Sequence, residues 1–431
     1  MVNRSIRPRI STFDNLELAF PQQVKLNNGT TCWIVEGGED EMVRTYVYFG
    51  GGSMMESKPA QSLLTALMLL EGHQGSTASQ VAEKFDYYGA RKSADSYDFN
   101  TEVVLTSLND NFEQTMQLLF NCIKNPLFPQ EEFEVLKRRL IGNIQILDQR
   151  VKYIASSEMK RLYYGDNHPL GHKITVDDII SLTRDDLVSF HNTYYNPSNC
   201  KLIIAGRVTN EILQQVNDTI GSWHNDNCLC PTAQWHTNPS SEMLTIVDKP
   251  GAMQSGIRMR IQAISRKHPD YIPLRILIMA FGGYFGSRLM SNIREDKGYT
   301  YGINASLLGT HYDGCIDIST ECATCHTINV INEVKAEMKL LRNTLIPEDE
   351  LETVKQHMYS ALAKTHDTPF NIAGYVSSTI LFGVYPQYHN DHIKCLDAIT
   401  PQQLRDIACK YLVEDKLCIV IAGDQSEIEK L

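Results

Sequence analysis

The chain contains itself twice. Residues 183–206, TRDDLVSFHNTYYNPSNCKLIIAG, lie without a gap over residues 400–423, TPQQLRDIACKYLVEDKLCIVIAG, matching Leu187 with Leu404, Phe190 with Ile407, Tyr194 with Tyr411 and Ala205 with Ala422 at an offset of 217 residues. A second pair, FPQEEFEVLKRRL from Phe128 and IPEDELETVKQHM from Ile346, aligns Pro129 with Pro347, Phe133 with Leu351 and Lys137 with Lys355 at an offset of 218. Two separated segments agreeing on nearly one offset mean that the 431 residues are two copies of one folding unit, which also suits a length beyond the usual single core.

The periodicities describe that unit. Period-two runs predict strands over 30–35, 43–49, 99–106 and 201–205 in the first copy, and over 244–248, 257–261, 301–308, 315–320 and 417–422 in the second. Apolar residues at helical spacing predict helices near 61–70, 79–88, 111–123 and a long one over 131–150. The expectation is an α+β fold of two homologous halves, each a mostly antiparallel sheet with helices packed on one face. Residues 223–242 are Asn, Cys, Pro, Thr, His and Ser without apolar periodicity, which is linker composition, so domains are expected at 1–222 and 243–431.

Charge removes one class of partner. With 40 Lys+Arg against 51 Asp+Glu, a net charge of −11, the chain has no general basic field to attract nucleic acid. The start, MVNRSIRPRISTFDN, lacks the apolar centre of a signal peptide, and nowhere do 18 apolar residues run together, so a cytoplasmic protein without a membrane span is expected. Eleven scattered cysteines, an odd number, suit reduced thiols better than a disulfide framework.

Four motifs offer chemistry. In GSRLMSNIREDKGYTYGI, from Gly286, the residues Leu289, Met290 and Ile293 recur at helical spacing, Gly298 supplies a left-handed stop, and Tyr299, Tyr301 and Ile303 alternate as in a strand. That junction would aim the Arg294 guanidinium and the Tyr301 phenol at one carbonyl or carboxylate. Equally, Arg294 complements a helix dipole and Tyr301 is a wet strand tyrosine. Cys322, Cys325 and His326 spell CxxCH, read as fortuitous at a helix start because covalent haem attachment would need export; a zinc site shared with Cys228 and Cys230 is the lesser alternative. His168 and His172, in HPLGH, are kept off a common helical face by Pro169 and Gly171. Glu71 and His73 read as solvated residues at a helix end.

Taken together, VKLNNGTTCWIVEGG near the start, FHNTYYNPSNCKLIIAG, and GGYFGSRLMSNIREDKGYTYG resemble, in order, the insulinase or pitrilysin-type zinc peptidases. The resemblance spans nearly the whole chain. It implies two homologous halves per chain of this size, two such chains or one double-length chain closing around a chamber, and an inverted zinc motif HxxEH in active members. Aligning EGHQGSTASQVAEKFDYYGA with the family's stretch after that motif puts its positions on Leu63, Leu64, Thr65, Ala66 and Leu67, and the third ligand near Asn143. Both histidines are thus leucine and the general-base glutamate is Ala66, whereas a zinc peptidase needs three ligands and a carboxylate.

The family's R-x6-Y element survives as Arg294 and Tyr301, and the resemblance implies that these bind the substrate backbone near the scissile carbonyl. It also implies peptide added as a strand at a sheet edge. Gly282, Gly283 and Gly286 either give backbone access at that wall or merely make turns. The expectation is therefore a noncatalytic, substrate-binding subunit of a heterodimeric zinc metallopeptidase. It would hold no cofactor, with zinc in an HxxEH-bearing partner and peptides as substrates. The alternatives are an inactive homologue serving as a homodimeric binding or scaffold protein, and an independent metal or haem protein.

Overall fold

The computed structural model describes residues 20–224, 235, 237, 240–310 and 312–430. The duplication appears in its sheets. β1 (Gln22–Lys25), β2 (Thr31–Glu36), β3 (Met42–Gly50), β6 (Arg91–Ser96), β7 (Asn100–Leu108) and β8 (Cys200–Gly206) form one sheet in the order β1-β2-β8-β3-β7-β6, while β4 (Gly72–His73) and β5 (Ser76–Thr77) pair separately. β9 (Leu244–Asp248), β10 (Gln254–Ala263), β11 (Thr300–Gly309), β12 (Gly314–Ala323) and β13 (Cys418–Gly423) form the other, in the order β11-β12-β10-β13-β9. With β1 set aside the two orders superpose strand for strand. Each sheet has one parallel contact, β2 with β8 and β9 with β13, among antiparallel ones.

Helices of the first half are α1 (Gln61–Met68), α2 (Ala78–Tyr87), α3 (Phe112–Lys124), α4 (Gln130–Leu147), α5 (Val151–Tyr164), α6 (Val176–Ser181), α7 (Arg184–Tyr194) and α8 (Asn210–Asp218). The second half has α9 (Tyr271–Ile278), α10 (Thr327–Asn343), α11 (Glu348–Lys364), α12 (Pro369–Leu381), α13 (Gln387–Ala398), α14 (Pro401–Tyr411) and α15 (Gln425–Ile428). None is long and apolar enough to cross a membrane among the described residues. The repeated segments become α7 with β8 and α14 with β13, and even their starts match. Thr183 and Asp186 close a capping box on α7, as Thr400 and Gln403 do on α14, each threonine hydroxyl accepting from the third residue's N–H.

One face of each sheet packs on its own half's helices. In the first half Val43, Val47, Val103, Leu105, Leu202 and Ile204 meet Phe112, Met116 and Leu119 of α3; in the second Ile257, Met259, Ile316 and Ile318 meet Val330, Val334 and Met338 of α10. The opposite faces are covered by an exchange. Ala373, Val376 and Ile380 of α12 seal Trp33, Val35, Tyr46 and Ile203 of the first sheet, whereas Val151, Ala155, Met159 and Leu162 of α5 seal Val420 and Ala422 of the second. The single helix expected over 131–150 is accordingly two: α4 ends at Leu147, Arg150 is extended (φ −96°, ψ 119°), and α5 departs for the other half. Trp223, which composition assigns to the linker, is buried against Phe49 and Phe120 in the first core.

Candidate functional site

Arg294 lies in a π-helical stretch, Met290–Asp296, rather than in a regular α-helix. Its wider turn still puts Leu289, Met290 and Ile293 in the core, as their spacing requires. The stretch is bolted down on one side. Asn292 Nδ2 donates to Glu333 and Glu337 of α10 at 3.1 and 2.8 Å, Lys297 Nζ lies 2.5 Å from Glu333, and Arg288 forks onto Glu350 of α11 at 2.7 and 2.8 Å. The Lys297 contact first, and with it the Asn292 bond, holds the Glu333 carboxyl below the usual range against an opposing burial effect. Gly298 then turns the chain with φ +66°, the left-handed stop its position predicts.

The strand that follows is not regular at its start. Thr300 pairs with Cys322 and Ile303 with Thr320, so Tyr301 and Gly302 together face the single residue Glu321, a β-bulge. Two hydroxyls fix it: Thr300 Oγ1 donates to the Glu321 carbonyl at 2.6 Å, and Thr320 Oγ1 to the Gly302 carbonyl at 2.9 Å. Both flanking pairs turn inward, leaving Tyr301 on the outer side at 94% exposure. The half-buried Arg294 guanidinium sits over the ring of exposed Phe285, 4.7 Å from its centroid, and makes no hydrogen bond or ion pair among the described residues. A cation aligned by an aromatic face and a phenol aimed by a bulge therefore stand at one end of the second sheet with their donors unspent. Of the three glycines in FGGYFGS, Gly282 has a packing reason, since a Cβ there would stand 2.6 Å from that of Ala305 on β11; Gly286 abuts the Tyr284 ring and Gly283 the Met279 sulfur.

The aligned zinc positions lie elsewhere, on α1 and α4. Glu56 starts α1 by accepting the N–H groups of Ala60 and Ser62 at 3.0 and 3.1 Å. Leu64, Ala66 and Met68 are buried, Leu63 and Leu67 half-buried, and Leu64 and Met68 pack with Phe133, Leu136 and Ile144. Asn143 is exposed on α4. These residues do not fit a zinc ion: saturated carbon has no lone pair, and one amide oxygen does not make a tetrahedral set. Among the described residues no three His, Cys, Asp or Glu side chains converge as metal ligands would.

The other motifs scatter. Cys322 is buried on β12 opposite Thr300, Cys325 is exposed, and His326 stacks on Tyr299 at 4.6 Å; Cys228 and Cys230 lie outside the described residues. His168 is buried against Tyr164, its Nδ1 accepting from the Leu170 N–H, while His172 pairs with Asp178 at 2.8 Å. His73 is not the solvated residue expected: β4 buries it and its Nδ1 meets the Gln74 carbonyl at 2.8 Å. Burial likewise raises the Glu71 carboxyl. What the sequence reading missed is the bulge, for which the only signal was Gly302 beside an aromatic in a strand pattern.

Two duplicated α+β halves with an R-x6-Y pair at one sheet end define a peptidase-like architecture of the insulinase type. The chain belongs to that family: residues 35–170 match the description Insulinase (Peptidase family M16), and residues 181–358 match Peptidase M16 inactive domain. It is 21% identical over 381 residues, 87% of this chain and 92% of the other, to the uncharacterized zinc protease YmxG of Bacillus subtilis. A crystal structure of a peptidase M16 inactive domain from Pseudomonas fluorescens superposes with a TM-score of 0.85 at 24% identity, covering 94% of this chain and 98% of that one. The periplasmic protease PqqL of Escherichia coli gives 0.78 at 16% identity, with 98% of this chain covering 49% of that protein.

Proposed function

We propose that this chain is the noncatalytic, substrate-binding subunit of a heterodimeric zinc metallopeptidase whose partner carries HxxEH. The observation that carries the reading is the contrast between the half-buried Arg294 and exposed Tyr301, both with free donors among the described residues, and α1, where Leu63, Ala66 and Leu67 offer only carbon. Zinc, held by the partner, would supply the activated water. This chain would hold the peptide. Tyr301 and Arg294 would donate to the peptide carbonyl and to the charge that develops on its oxygen, and fixed donors of this kind carry much of the rate in acyl transfer. The exposed sheet edges at β6 and β11 would accept the peptide main chain as an added strand. The match to half of a double-length protease is consistent with two such units per chamber. On this reading the pair works in the cytoplasm, which cell fractionation tests.

The test of function is to purify the chain alone and with a coexpressed HxxEH homologue, then measure zinc and peptide hydrolysis. Activity is expected only from the pair. Zinc-dependent hydrolysis by the lone chain would sink the proposal.

A further inference from the structure

A cleft of about 1090 Å³ opens where the turn between α4 and α5 meets the end of the second sheet, lined among others by Leu147, Arg150, Lys152, Met253, Arg258 and Glu321. Its place ties it to the pair described above. Glu321, on its wall, is the residue that Tyr301 and Gly302 face across the bulge, and neighbouring strands lie only about 4.8 Å apart. A peptide held at Tyr301 therefore reaches the cleft within a residue or two.

The charge of the cleft runs against that of the chain. Arg150, Lys152 and Arg258 face a single lining carboxylate, Glu321, in a protein of net charge −11. Lys152 Nζ stands 4.0 Å from Glu321 Oε2, too far for a hydrogen bond. Beneath them Asp317 is shared: Arg258 donates to its Oδ2 at 2.9 Å, while Arg260 takes Oδ1 with two donors at 2.9 and 2.7 Å. One carboxylate thus serves two guanidiniums, leaving a surplus positive charge at the cleft floor, and Arg258 Nε has no acceptor among the described residues. The lip is apolar, with Met253 at 88% exposure.

We infer that this cleft is a subsite for a carboxylate of the bound peptide, supplied by an acidic side chain or by the chain's C-terminus, with Met253 covering a neighbouring apolar residue. The inference rests on the peptide-binding reading of Arg294 and Tyr301. Arg150 and Lys152 make the contact, and the Arg258–Asp317–Arg260 group supplies the field behind them.

Fluorescence anisotropy on the full chain tests it with three fluorescein-labelled peptides of identical Leu, Ser and Tyr body, ending in Glu-Glu acid, Gln-Gln acid and Gln-Gln amide. The first is expected to bind about tenfold more tightly than the last, an advantage that shrinks as salt rises. The middle peptide tells the source: parity with the first points to the chain end, parity with the amide to the acidic side chains. The double variant Arg150→Gln/Lys152→Gln, both exposed residues, should abolish the preference, whereas Arg294→Ala should weaken all three peptides alike. Equal binding of all three by the unaltered chain overturns the subsite while leaving the peptide-binding reading intact. Failure to bind any of them overturns both.

Discussion

The strands β6 and β11 hold the same place, the edge next to β7 in one sheet and next to β12 in the other, yet they have diverged in opposite ways. β6 keeps an unbroken register with β7 from Arg91 to Ser96, and its half carries α1 with an apolar interior where the alignment places HxxEH. β11 breaks register at its first turn of pairing and spends the break on exposing Tyr301. One copy has been spent on packing and the other on presentation. A duplicated scaffold permits this division because the α3 face of one sheet and the α10 face of the other belong to separate cores, so the bulge in β11 leaves the packing under β3, β7 and β8 untouched.

The sharpest way to break the comparison is at the Arg294 and Tyr301 pair. In a complex with an HxxEH partner, Arg294→Ala or Tyr301→Phe should lower turnover by about 100-fold, the scale of losing one donor to a developing oxyanion, with zinc content and assembly unchanged. No change in turnover would return both side chains to ordinary surface roles. On the packed side, Leu64→Ala should cost about 3 kcal/mol in denaturant unfolding, because Leu64 is fully buried, while peptide binding by the folded chain is unaffected.

Acid should weaken the second half through His392. Burial first, then Arg275 and His389, push this imidazole down to about 3. The unfolded chain takes up that proton near pH 6.5 and the folded one does not, so stability is flat above 6.5 and falls by about 1.4 kcal/mol per pH unit below it. Thermal unfolding from pH 7 to 5 should show the loss, and His392→Asn should flatten it. The smallest effect belongs to Phe285→Ala, which removes the ring under Arg294 and should weaken peptide binding by about threefold; an unchanged affinity would show that Arg294 is aligned by its backbone alone.

Much of the architecture was legible because the repeat forced it. The matched segments yielded α7, β8, α14 and β13, and helical spacing followed by a glycine yielded the stop at Gly298. What escaped shares a physical cause. β6 reads RKSADS, polar but for the buried Ala94, since an edge strand buries little and leaves no period-two trace. The α4–α5 break carries neither Gly nor Pro, unlike its counterpart before Pro369, so only packing on the other half reveals it. The π-turns around Arg294 keep apolar residues near helical spacing and are indistinguishable from α in a sequence.

The exchange of α5 and α12 reaches beyond stability, to inheritance. Either half alone would leave a sheet face of Trp33, Val35 and Tyr46, or of Val420 and Ala422, bare to water. Once the coverings had been traded, a gene shortened to a single copy would encode an aggregation-prone fragment rather than a simpler ancestor. The two copies are thereby tied together, since each keeps a sheet face dry only with a helix that the other contributes.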